Sequence, residues 1–165
     1  MATEMQAAVR FGNMFSPAFR AQYLQFRDDP RVYWLIRGEN QAESGTRAHS
    51  QPLELKFDAH GHVTHAGEVS YIPRFVGVNE QAKLIAHEGG HLGEEVSTGR
   101  TIQDRYRSHD NGVFLNNAAG ENHYESRQVL AFERLVADEL RRSDAMLPVS
   151  RPLIMNMLDL TPAQR

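Results

Sequence analysis

The sequence predicts a small α+β domain, and three observations carry that prediction. Leu53–Phe57 and Val63–Ile72 alternate apolar and polar residues, which is the pattern of a paired, half-buried strand couple. Apolar residues recur at helical spacing both before and after that couple. Gly, Asn, Asp and Ser cluster between the patterned runs, where turns need them.

Taken in order, Ser16-Pro17 is an N-cap followed by proline at the first helical position. Phe19, Tyr23 and Phe26 then form a core-facing stripe. Asp29-Pro30 repeats the cap signal, so Val32, Tyr33, Leu35 and Ile36 are expected in a second short helix that ends at Gly38. Residues 38–52 are polar and without period, which predicts a mobile surface loop. Leu53, Leu55 and Phe57 predict one strand, Asp58-Ala59-His60-Gly61 a turn, and Val63 to Ile72 a second strand stopped by Pro73.

Asn79-Glu80 opens the next helix, with Asn79 as cap and Glu80 near the positive end of the dipole; it ends near Ser97-Thr98-Gly99. Residues 99–120 carry no pattern and are expected to be irregular. A last long helix is expected from Glu121 to Arg142, with Val129, Phe132, Val136 and Leu140 turned inward. Neither a repeat nor a domain boundary is visible, so residues 1–165 are expected to form one domain.

Composition narrows the function classes. Hydrophobic residues make up 41% and charged residues 24%, enough for a packed core. A net charge of -3 offers no basic footprint for nucleic acid. No apolar run reaches the roughly 18 residues of a membrane span. The start, MATEMQAAVRFGN, lacks a charged segment followed by an apolar one, so no secretory signal of that type is expected. There are 0 cysteines, which removes disulfides, thiol nucleophiles and thiolate metal sites. The 8 histidines remain as nitrogen ligands.

The chemistry concentrates in His87-Glu88-Gly89-Gly90-His91. Histidines four apart on a helix present both imidazoles on one face, which suits two corners of a tetrahedral zinc site. Glu88 is turned about 100° away and can reach a water on the metal without taking a coordination position. Zinc acidifies that water towards pH ~7, and Glu88 then serves as general base. Three fixed positions recur by chance in many chains. Here the run lies inside a predicted helix after a predicted strand. It also carries two mid-helix glycines, which cost about 1.5–2 kcal/mol of propensity and suggest close approach of a backbone or substrate.

A catalytic zinc needs a third protein ligand. The extension HExxHxxGxxH fails, because Glu94 and Ser97 stand at its glycine and third-histidine positions. Extending the inward stripe of the last helix backwards reaches Glu125, the preferred third ligand, and then Glu121, the second choice; Glu133 and Asp110 stay open as well. Glu94 and Glu95 are expected to be solvated helix-end residues, although Glu95 lies one turn after His91. His123 and Tyr124 are the best placed to hold an oxyanion or position substrate. Tyr71, Tyr106 and His109 are weaker choices. His60, His62 and His65 gather at the turn, where a solvated cluster is expected before a second metal.

The order EVSYIPRF, NEQAKLIAHEGGHLGEEVSTG, ENHYESRQVLAFERLVADELRRS resembles the HExxH effector peptidases of bacterial secretion systems. That group includes type III effectors and metallopeptidase domains at the tails of type VI spike proteins. The likeness spans residues 53–148, and HExxH is its sharp motif. The chain departs from the usual form in its Gly89-Gly90 pair and in Glu133-Arg134, where a Glu-Asn pair is common. The resemblance implies a small zincin-like fold with the active-site helix packed on a short twisted sheet. It implies Zn(2+) held by His87, His91 and Glu125, with Glu88 as base.

The expected function is therefore a zinc-dependent endopeptidase acting as an effector or toxin. It would be secreted without a signal peptide into a host or competitor cell, or else act in the cytoplasm. Its partners would be a protein or peptide substrate, a secretion-system spike or a cognate immunity protein. The competing expectations are a non-catalytic zincin-fold interaction module and a housekeeping or repressor-cleaving peptidase. Val69, Ser70 and Tyr71 are expected at a sheet edge that takes substrate as an added strand.

Overall fold

A computed structural model describes residues 5–40, 48–101, 104, 112–116 and 122–146. In chain order these form α1 (Gln6–Phe15), α2 (Pro17–Asp28), β1 (Val32–Glu39), β2 (His49–Phe57), β3 (Val63–Pro73), α3 (Val78–Thr98), β4 (Gly112–Asn116), β5 (Asn122–Ser126) and α4 (Arg127–Met146). The class is α+β, as expected: the described residues hold a three-stranded sheet, a two-stranded hairpin and helices packed on them.

Ser16 starts α2 as the sequence predicts. Its hydroxyl accepts from the Phe19 N–H at 3.0 Å and donates to Glu139 Oε2 at 2.5 Å, so one cap ties α2 to α4. The segment expected to be a second short helix is instead the strand β1. Val32, Tyr33, Trp34 and Ile36 are β-branched or aromatic and suit a pleated surface better than a helix. β1 pairs in parallel with β3, Trp34 opposite Glu68 and Ile36 opposite Ser70.

β2 and β3 form the expected hairpin, antiparallel, around a turn in which Gly61 adopts φ 83°. Part of the segment read as a mobile loop belongs to strands: Gly38 and Glu39 finish β1, and His49 to Pro52 begin β2. Residues 41–47 lie outside the described residues. Of the half-buried face expected of β2, Leu55 packs against the core and the other two residues do not. Leu53 is 55% and Phe57 47% exposed, because register shifts between Pro52 and Glu54 and between Lys56 and Phe57 break the alternation.

The sheet order is β1-β3-β2, which makes β3 the central strand. Val69, Ser70 and Tyr71 therefore do not form an edge. Each is paired on both sides, Ser70 with Ile36 and with Ser50. The main-chain groups expected to receive an added strand are already bonded within the sheet.

α3 begins at Val78, with Gly77 rather than Asn79 at its cap, and stops at Gly99, whose φ of 67° is the left-handed turn that favours glycine. The main core joins helices to sheet through Phe11, Phe19, Ile36, Ile72, Ile85 and Val136. A smaller cluster of Phe26, Val63, Ala66 and Leu92 closes the other end. α3 is thus wrapped on most sides, which forces its polar residues to find partners.

The last helix begins later than expected. Residues 122–126 are a strand, paired antiparallel with 112–116 inside the stretch expected to be irregular; Val113 lies opposite Glu125. Asn, His and Tyr at 122–124 are weak helix formers, and Tyr suits a strand. The Ser126 hydroxyl accepts from the N–H groups of Gln128 and Val129 at 3.2 and 3.4 Å, the cap that starts α4. Of its expected stripe, Val129, Val136 and Leu140 are buried and Phe132 packs at the margin of the core. Among the described residues no helix is long and apolar enough to cross a membrane.

Candidate metal centre

α3 presents His87 and His91 one turn apart, and β5 brings Glu125 against them from the side. The ring Nε2 atoms of the two histidines lie 3.2 Å apart. Glu125 Oε2 is 3.2 Å from His91 Nε2, and Oε1 is 3.5 Å from His87 Nε2. Donors at about 2.0–2.1 Å from a tetrahedral zinc are about 3.3–3.4 Å from one another, so these spacings fit one face of such a site. Among the described residues this is the one group of three or more His, Asp or Glu side chains that could hold a metal ion. The donor set, two imidazoles and a carboxylate, suits zinc chemically.

Glu125 meets the histidines from a strand and not from a helix. The helical stripe expected to carry it does not extend that far back: Glu125 sits on β5, one residue before the cap of α4.

Among the described residues, several buried or partly buried carboxylates lie on α3 and on the elements packed against it. Glu125 is 9% exposed, Glu88 4%, Glu94 8%, Glu95 5% and Glu68 2%, and Glu133 is partly buried. The expectation that Glu94 and Glu95 are solvated is therefore overturned, because α3 is covered along its length. Glu94 accepts a hydrogen bond from the Ser126 hydroxyl, and its Oε2 lies 4.0 Å from His91 Nδ1. Glu133 is not in the donor triangle. It accepts from His87 Nδ1 at 2.9 Å, on the ring's opposite side.

The electrostatics follow from this crowding. Burial pushes the His87 imidazole down, but Glu125, Glu133 and Glu88 outweigh it and hold the ring up at about 10. Burial works against the Glu125 carboxylate too, yet His87 and His91 hold it well below the usual carboxylate range. Burial also opposes the charge on Glu133, and His87 with Lys83 outweighs it and lowers this carboxyl. A field that favours a proton on His87 also favours a metal cation, which must displace that proton on binding.

Glu68 is a buried acid outside the expected site, and its place at an inward position of a strand is the sequence signal for it. It lies on β3 opposite Trp34 and accepts from the hydroxyls of Ser50 at 2.7 Å and Ser70 at 3.1 Å. Burial, with the nearby charges of Glu88 and Glu95, raises it to about 8.

The glycine pair has a packing explanation. A Cβ on Gly89 would sit 2.7 Å from Trp34 Cη2 and 2.8 Å from Gln22 Oε1, and one on Gly90 would sit 3.1 Å from Val129 Cγ2. The close approach is by side chains of the protein itself.

The remaining sequence choices separate from the site or fall outside it. The backbone of His123 and Tyr124 runs in β5 beside Glu125; their side chains lie outside the described residues. Glu121, Tyr106, His109 and Asp110 also lie outside them. Tyr71 stacks on His49, with ring centroids 4.8 Å apart. At the turn, His62 pairs with Asp58 at 3.1 Å and His65 lies 3.5 Å from Glu54. No family model, curated protein or solved structure matches the chain.

Proposed function

We propose that the chain is a zinc-dependent endopeptidase. The observation that carries this reading is the convergence of His87 Nε2, His91 Nε2 and the Glu125 carboxylate at 3.2–3.5 Å, one residue away from a buried glutamate. His87, His91 and Glu125 would hold the metal, the two-imidazole, one-carboxylate set that catalytic zinc sites use. When bound, zinc supplies Lewis acidity that makes a water acidic enough to attack near neutral pH and polarises a carbonyl.

The protein's own contribution is to orient and to move protons. Glu88 follows His87 directly and adds to the field that raises it, so its charge is felt at the ligands. It would accept the proton of the attacking water and return it to the leaving amine. Burial of Glu88 and Glu125 thins the water around the reacting groups and strengthens each charge interaction there.

The delivered-effector role rests on the resemblance of HEGGH and its flanking helices to secretion-system peptidases. A peptide substrate in a target cell, a spike protein and an immunity protein are the partners that role entails. The test is twofold: metal content of the purified chain, and cleavage of a protein mixture by wild type and by Glu88→Gln. Zinc in both with cleavage by wild type alone supports the reading. Zinc in neither overturns it, and so does equal cleavage by both.

A further inference from the structure

Among the described residues, Glu133 is a carboxylate that touches a metal-ligand candidate yet contributes no atom to the donor triangle. Its Oε2 lies 2.9 Å from His87 Nδ1, while His87 Nε2 faces His91 and Glu125. A carboxylate can only accept, so Nδ1 must carry the hydrogen in this contact. With the hydrogen held on Nδ1, the lone pair of a neutral ring lies on Nε2, where a metal would need it.

The contact is braced from behind. Glu133 Oε1 is 3.5 Å from Lys83 Nζ, and that ammonium is 2.6 Å from Glu80 Oε1. Lys83 and His87 are one turn apart on α3, whereas Glu133 comes from α4, so the brace also sets how the two helices face one another. Among the described residues the second histidine has no equivalent brace. His91 Nδ1 is buried without a hydrogen-bond partner among the described residues, and Glu94 Oε2 stands 4.0 Å away.

We infer that Glu133 is a positioning residue that fixes the tautomer and ring orientation of His87 for metal binding, and that it is not itself a ligand. The inference rests on the metal-centre reading above. Groups of this kind typically change metal affinity by about 10- to 100-fold when removed.

The test uses the full chain as wild type, Glu133→Ala and Glu133→Gln, each checked for folding by circular dichroism. Zinc affinity is measured by competition with a chromophoric chelator, and the site geometry by the absorption spectrum of the cobalt(II) form. Nitrogen NMR of the zinc form reports which His87 nitrogen carries hydrogen. Glu133→Ala should bind one metal with about 10- to 100-fold lower affinity and with cobalt band intensities that report an unchanged coordination number. Glu133→Gln, whose amide oxygen still accepts from Nδ1, should recover most of that loss and keep the Nδ1–H signature. A cobalt band intensity in Glu133→Ala that reports a changed coordination number would make Glu133 a ligand and overturn the inference. Equal affinity in Glu133→Ala and wild type overturns it too, and leaves the metal centre standing. A wild-type chain that binds no zinc overturns the metal centre itself, and the inference with it.

Discussion

Trp34 on β1 occupies the space that a side chain on Gly89 would fill, its Cη2 lying 2.7 Å from where that Cβ would stand. The indole cannot easily withdraw. Its N–H donates to Ser70 Oγ at 2.8 Å, and its ring meets Phe26 edge-on at 5.5 Å. The motif helix is thereby seated against the sheet at the residue between Glu88 and Gly90, so the glycine fixes where the site stands.

Gly89→Ala should therefore destabilise the protein, although alanine is the better helix former by about 1 kcal/mol. Overpacking a well-filled core costs about 1–3 kcal/mol, and here the neighbours are an anchored indole and a Gln22 that is itself bonded to Ala86 O at 3.2 Å. Gly90→Ala first meets the Val129 side chain, its methyls at 3.1 and 3.2 Å, and should be milder or neutral. Denaturant midpoints of the two variants decide it; a Gly89→Ala protein as stable as wild type would show that Trp34 has room.

His87→Ala and His91→Ala should each abolish zinc retention, and Glu125→Ala should weaken it strongly, as elemental analysis after gel filtration would report. Because the three residues come from α3 and β5, metal bound to them should also resist unfolding. At a free zinc concentration 100 times Kd the gain is about 2.7 kcal/mol, visible as a higher melting temperature that a chelator reverses. Full metal content in all three variants would remove the site from consideration.

Glu88→Gln should keep the zinc and the fold but lose proteolysis by about 10²–10⁴-fold, the usual contribution of a general acid–base group. With it should go any toxicity on expression in the target compartment. Loss of zinc in Glu88→Gln would instead mean that Glu88 binds the metal, and its role as base would fall.

Glu68 makes a pH prediction. Its carboxyl is raised to about 8 in the fold, against about 4.3 for an unperturbed glutamate. Between those values the folded state binds more protons than the unfolded one. The contribution of Glu68 to stability is thus greatest below about pH 4 and declines as pH rises towards about 8. Glu68→Gln keeps the size and the capacity to accept from Ser50 and Ser70 but cannot ionise. Its stability relative to wild type should grow steadily between pH 5 and 8 in urea titrations. A difference that stays constant with pH would mean that Glu68 does not titrate in that window.

Much of this protein was legible without its tertiary structure. The Ser16-Pro17 cap, the Asp58–Gly61 turn, the strand stopped at Pro73 and the helix ended at Gly99 are written in local chemistry: capping hydroxyls, a missing amide hydrogen, a left-handed glycine. The facing of His87 and His91 is equally local, because helical geometry alone brings residues four apart together. What the sequence left undecided depends on partners distant along the chain. β1 is a strand because β3 offers it a ladder, and β5 because 112–116 does. Glu133 is turned to His87 because α4 packs on α3, and Glu94 is buried because β5 ends in Ser126 against it. Spacing along one element is set by bond geometry, but the approach of two elements is set by burying their apolar faces together, and one sequence window contains only one of those faces.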